Sequence, residues 1–145
     1  MRKIIVLSVL IVFFSIRSMA QQTMIFTNPD VKFSQGKELF SEHKYAASYR
    51  SFEEYLKKAD PTQAGQIEEA SYYLAANAFE LRQDDATAML KNQLDNYPAT
   101  PYLDEVNAMI GTIAFEKKDY AQALTYFNKV DEKHLGDRER GGFHV

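Results

Sequence analysis

Cysteine is absent from the 145 residues. The chain therefore has no disulfide framework, no thiolate metal ligand and no thiol nucleophile. It also lacks the residue to which bacterial lipoproteins attach their lipid at the signal cleavage site. Its fold has to be held by an apolar core alone. Histidine is almost as scarce: His43, His134 and His144 are the three, and no two share the i, i+4 spacing that would set both imidazoles on one helix face. They read as exposed turn or tail residues. No Gly-x-Ser-x-Gly, phosphate loop or dinucleotide fingerprint occurs. The acidic doublets Glu53-Glu54, Glu68-Glu69 and Asp84-Asp85 could offer paired carboxylates. Adjacent helical residues point about 100° apart, however, so these doublets read as solvated faces or helix starts. We expect neither catalysis nor a cofactor nor a metal.

Positive charge is also in short supply once the first residues are set aside. Arg2 and Lys3 precede an almost wholly apolar run from Ile4 to Ile16, and Ser18-Met19-Ala20 puts small residues where a signal peptidase reads. Residues 1–20 are therefore expected to be a secretory signal, with the mature chain starting near Gln21. The run of 13 residues falls short of the roughly 20 needed to span a bilayer, and Arg17 interrupts it. A retained anchor is the weaker alternative. Losing Arg2, Lys3 and Arg17 leaves 14 of the 17 basic residues against 20 acidic ones, a formal charge of −6. Such a surface repels phosphate backbones, so nucleic acid is not an expected partner. The expected location is the periplasm or cell envelope, with membrane contact only through an uncleaved signal or a partner.

What is present is helical periodicity. In KKDYAQALTYFNKV, residues 117–130, Tyr120, Ala123, Leu124, Phe127 and Val130 recur at steps of three and four. No segment alternates with period two long enough for a strand. After a lead-in over 21–28, three polar residues are each followed by proline: Asn28-Pro29, Asp60-Pro61 and Thr100-Pro101. A side-chain oxygen can cap a helix start, and proline suits the first helical position because its missing N–H has no partner there. With polar turns at Glu42-His43-Lys44, Arg82-Gln83-Asp84-Asp85 and Lys117-Lys118-Asp119, the pattern predicts six helices. They fall near 29–42, 45–58, 62–81, 85–96, 101–116 and 119–131, grouped as hairpins over 29–59, 60–99 and 100–131.

The hairpins also look alike. Aligning the small residue early in each second helix matches Ser48, Ala88 and Ala123. Twelve residues earlier lie Gly36, Ala76 and Gly111, and four residues later Phe52, Asn92 and Phe127. Small residues let paired helices approach closely, and the aromatic then fills the space beside the contact. This pattern resembles the tetratricopeptide repeat, a helix–turn–helix unit of about 34 residues. The third hairpin matches through Ile110-Gly111, Tyr120-Ala121-Gln122-Ala123 and Phe127. The first matches through Gly36, Leu39, Tyr45, Phe52 and Pro61, with Gln35 where an apolar residue is usual. The second has Tyr72, Ala75, Ala76, Phe79 and Ala88, with Asn92 in place of an aromatic. The Tyr97-Pro98 turn is similar to those joining repeats in exported bacterial members.

The resemblance implies an all-α fold, antiparallel hairpins stacked as a short right-handed superhelix, in which the first helix of each hairpin faces a concave groove. Projected onto this chain, that groove would be lined by Phe33, Lys37, Phe40, Tyr73, Asn77, Glu80, Thr112, Phe115 and Glu116. Mixed aromatic and polar walls suit an extended or helical peptide. Some members grip a terminal carboxylate with lysines and asparagines; Phe33, Tyr73 and Ala108 stand where such residues would be sought, which argues against that mode. The implied function is a non-catalytic scaffold for a protein or peptide partner, in envelope assembly. The alternative is the structural N-terminal arm of a longer assembly. Residues 132–145 begin like a further first helix and no polar terminal cap is visible, so Leu124 and Phe127 are expected to be half covered. A fragment of a longer protein, or self-association through that end, would account for this.

Overall fold

The computed structural model describes residues 29–131, and among them it holds six helices and no strand. The helices are α1 Pro29–Ser41, α2 Tyr45–Leu56, α3 Ala64–Glu80, α4 Ala86–Asn96, α5 Leu103–Glu116 and α6 Tyr120–Phe127. The expected signal over 1–20, the lead-in over 21–28 and the segment 132–145 lie outside the described residues. Consecutive helices pack on one another along the chain, and α1 also meets α3 as α3 meets α5.

The three hairpin turns are built alike. His43, Arg82 and Lys118 adopt the left-handed conformation, at φ 59°, 56° and 63°. Each donates its N–H to a carbonyl three residues back, and the next residue donates to one five back: His43 to Phe40 and Lys44 to Leu39, Arg82 to Phe79 and Gln83 to Ala78, Lys118 to Phe115 and Asp119 to Ala114. These paired bonds satisfy carbonyls that a helix end leaves orphaned. A left-handed residue usually calls for glycine, yet all three positions carry long polar side chains that reach water.

The prolines behave differently from the expectation. Pro29 does open α1, with Asp30 in the first turn where the dipole favours it. Pro61 and Pro101 instead sit in turns that precede α3 and α5. Asp60 Oδ1 accepts from the Thr62 amide at 2.9 Å and its hydroxyl at 2.8 Å, and Thr100 Oγ1 accepts from the Tyr102 amide at 3.4 Å. The side-chain oxygens close a turn first, so the helices start at residues 64 and 103. The two hydrogen bonds from Thr62 hold the Asp60 carboxyl below the usual carboxylate range. At α6 the cap is direct: Asp119 Oδ1 accepts from the Gln122 amide at 3.1 Å.

The glycine–aromatic pairs pack as the spacing implies in the first and third hairpins. A methyl group placed on Gly36 would stand 2.8 Å from the Phe52 ring, and one on Gly111 would stand 2.5 Å from the Phe127 ring. Ser48 Oγ donates to the Gly36 carbonyl at 2.9 Å, tying the same contact. The second hairpin departs from the pattern. Its helix α4 starts four residues after the left-handed Arg82, whereas α2 and α6 start two after His43 and Lys118. Those extra residues shift the register, so Ala88 and Asn92 are exposed while Ala86, Leu90 and Gln93 are buried. Counting back seven residues from Arg82 also puts Ala75, rather than Ala76, in the place of Gly36 and Gly111.

The core forms two connected clusters. Phe33, Phe52, Tyr55 and Ala70 fill the junction of the first hairpin with α3. Tyr72, Ala75, Ala76, Leu90, Val106, Met109 and Ile110 fill the centre. Tyr73 packs against both, stacked on Phe52 at 5.2 Å, and Tyr72 stacks on Tyr102 at 3.8 Å.

Candidate functional site

Helices α1, α3 and α5 carry a row of contacts that cross from one hairpin to the next. Lys37 Nζ pairs with Glu69 Oε1 at 2.6 Å and lies 5.6 Å from the centre of the Phe33 ring and 6.0 Å from that of Tyr73. The hydrogen bond to Glu69 holds the Lys37 ammonium above its ordinary pKa, against the opposing effect of burial. Gln63 Nε2 donates to Asp30 Oδ1 at 3.3 Å. Phe40 meets the Tyr73 ring edge-on at 4.9 Å. At the far end of α3, Arg82 Nη1 donates to Glu116 Oε1 at 2.6 Å, and the guanidinium lies 5.5 Å from the centre of the Phe79 ring. A small cleft beside that pair is lined by Phe79, Gln83, Ala86 and Ile113. Burial raises the pKa of Tyr73, and it raises that of Tyr102 further, with the Glu69 charge adding to the effect.

The groove residues expected from the sequence divide into three groups. Phe33 and Asn77 are buried and do not line an open wall. Phe33 packs against Phe52 and Tyr55, because its position on α1 faces α2. Asn77 donates to Ser48 Oγ and to the Tyr73 carbonyl, both at 2.8 Å, which makes it a strut between hairpins. Phe40, Tyr73, Glu80 and Thr112 are half-buried, and Thr112 bonds back to the Ala108 carbonyl at 2.9 Å. Lys37, Phe115 and Glu116 are exposed, the two charged ones already paired. Ala108, considered for a carboxylate grip, is buried.

Periodicity on single helices misses Glu69 and Arg82, which form ion pairs between hairpins with Lys37 and Glu116. A signal for them does exist. Lys37 and Glu69 are 32 residues apart, Asp30 and Gln63 are 33, and Arg82 and Glu116 are 34, so complementary side chains recur near one repeat length. The acidic doublet on α2 is taken up by ion pairs, Glu53 with Lys57 at 3.2 Å and Glu54 with Lys32 at 3.0 Å. His43 Nδ1 lies 2.7 Å from the Tyr45 hydroxyl, while His134 and His144 lie outside the described residues. Among the described residues no cluster of acidic and histidine side chains is arranged to hold a metal, and no helix is long and apolar enough to cross a membrane.

Compared with known proteins, the chain matches no family model, no curated protein and no solved structure.

Proposed function

We propose that the chain is an exported, non-catalytic scaffold of the tetratricopeptide type. In this reading its hairpins stack as a right-handed superhelix, and the row of α1, α3 and α5 forms the wall that receives a protein or peptide of the cell envelope. The observation that carries it is the recurrence of side-chain contacts at 32 to 34 residues between these helices and the residues that flank α3. The three equivalent turns support the same reading. Chemically, the wall offers exposed ion pairs next to aromatic faces. A surface ion pair contributes only about 0–1 kcal/mol, so Lys37 and Arg82 can exchange Glu69 and Glu116 for an acidic ligand group at little loss. Tyr73, Phe40 and Phe115 would supply apolar contact.

The test compares the chain with a Lys37→Glu/Arg82→Glu variant as bait in envelope extract. A specific protein should be retained by the unaltered chain and lost by the variant, whereas Ser34→Lys/Glu38→Lys, on a different face of α1, should retain it. Equal retention by all three, or nothing retained by any, would count decisively against this reading.

A further inference from the structure

The six helices are not held equally. Helix α4 lies less closely against its neighbours α3 and α5 than α2 does against α1 and α3. Length is not the reason: α4 has 11 residues to the 12 of α2, and α6, with eight, packs more extensively on α5 than α4 does on α3. The side chains account for it. To the first cluster α2 gives the rings of Phe52 and Tyr55, whereas α4 gives the central cluster the buried side chain of Leu90, with Met89 and Leu94 at its edge. Gln93 stands where an aromatic would be due. It follows Arg82 by 11 residues, while Phe52 and Phe127 follow His43 and Lys118 by nine, and the difference is the two extra residues of the second turn.

An amide is a poor substitute for a ring in that place. Gln93 is fully buried, its Nε2 reaches the Glu68 carbonyl only at 3.4 Å, and its Oε1 has no hydrogen-bond partner among the described residues. A buried acceptor without a bond has lost its hydration with nothing gained in exchange. Moving α4 into water therefore recovers part of what burial costs. The start of the helix is loose as well. Asp85, at its N-cap, makes no side-chain cap bond, and Ala86 and Thr87 border the cleft, about 110 Å³ in volume, that they share with Phe79 and Ile113.

We propose that α4 is a flap, tethered by the turns 81–85 and 97–102, that lifts off the central cluster while α1, α3 and α5 stay in place. The row of α1, α3 and α5 survives the motion because its links bypass α4: α3 touches α5 directly, Tyr72 stacks on Tyr102, and Arg82 pairs with Glu116. Helix α2 has no such freedom. Asn77 bonds to Ser48 on it, Tyr73 stacks on its Phe52, and its Tyr55 hydroxyl donates to Gln66 Oε1 at 3.3 Å. Lifting α4 uncovers Ala75, Val106 and Ile110, an apolar surface that the closed array hides. The motion requires no partner on the proposed wall, so it stands apart from that reading.

Amide hydrogen exchange on the unaltered full chain tests the flap. Amides of α4 should exchange about tenfold faster, or more, than those in the middle of α2, α3 and α5, as locally opening units do. Protection in α4 equal to that in α2 overturns the proposal, and so does exchange of α3 in step with α4, which would mean that the whole hairpin unfolds. Gln93→Leu should slow exchange in α4 by about fivefold and leave α2 as it was. No slowing, or equal slowing in every helix, also overturns it. Since the chain has no cysteine, one introduced thiol gives an independent measure. Ala75→Cys, in the central cluster, should react with a thiol reagent about tenfold faster than Ala70→Cys, on the same helix but in the first cluster. Equal rates would show that α4 stays down, and the proposal fails.

Discussion

The first and third hairpins are near copies in their interior and unlike in their surroundings. Both close on a left-handed polar residue, both lay an aromatic ring over a glycine, and both pair a phenylalanine with a tyrosine across the turn. Yet Phe52 is fully buried and Phe127 is only half-buried. The difference comes from the neighbour: α3 lies against the first hairpin and brings Tyr73 and Asn77 with it. A local motif therefore sets the shape of a hairpin, and the next helix along the chain supplies much of its burial. In a stacked array the stability of one unit belongs partly to the unit after it.

Removing the two rings should separate the copies most strongly. Phe52→Ala is expected to cost about 3–5 kcal/mol, the range for emptying a well-packed aromatic site. Phe127→Ala should cost clearly less, because part of its ring already meets water. Denaturant midpoints of the two variants give the comparison, and equal losses would show that Phe127 is as enclosed as Phe52. Next comes Gly36→Ala. Its new methyl would press on a ring that has nowhere to go, for a loss of about 1–3 kcal/mol. At Gly111 the gap is tighter still, but the Phe127 ring is only half-buried and so freer to shift than the fully buried Phe52. Gly111→Ala is therefore expected to be the milder change, and a larger loss there would reverse the contrast.

Ser48→Ala probes the strut between the first two hairpins. The hydroxyl donates to the Gly36 carbonyl and accepts from Asn77, so its removal weakens two buried bonds at once, with an expected loss of about 1–3 kcal/mol. The third hairpin has Ala123 at this place, and Ala123→Ser is expected to bring no matching gain, since among the described residues no helix follows α6 to offer a partner amide. The smallest effect concerns pH. The folded-state pKa of Lys37 is raised, so the stability it contributes is fully present below its ordinary value of 10.5 and fades as pH rises through the higher folded value. Glu69→Gln should flatten that alkaline decline. A decline unchanged by the substitution would assign it to other groups.

Much of this fold can be read from the chain. Six apolar stripes are visible at helical period, and all six helices occur, with ends that shift by up to four residues. The starts of α3 and α5 are read too early because Asp60 and Thr100 satisfy turn amides before any helix begins. The second hairpin's register is harder to read, since it depends on the length of a polar turn and puts Gln93 in the core. Gln93 donates to the Glu68 carbonyl at 3.4 Å, and no count of apolar residues would place an amide there. The proposed wall is legible in part. Aromatic positions on the first helices are found by period, but Phe33 lies on the α2 side of its helix and Asn77 turns inward to a hydroxyl, and neither orientation follows from spacing on one helix.

The ring stack across the junctions gives the molecule its own reporter. The chain has nine tyrosines and no tryptophan to mask them, and Tyr72, Tyr73 and Tyr102 sit where successive hairpins meet. Aromatic ellipticity in the near ultraviolet should therefore follow the parting of hairpins, while the far-ultraviolet band follows the melting of helices. If heating dims the first signal before the second, the units come apart while still wound.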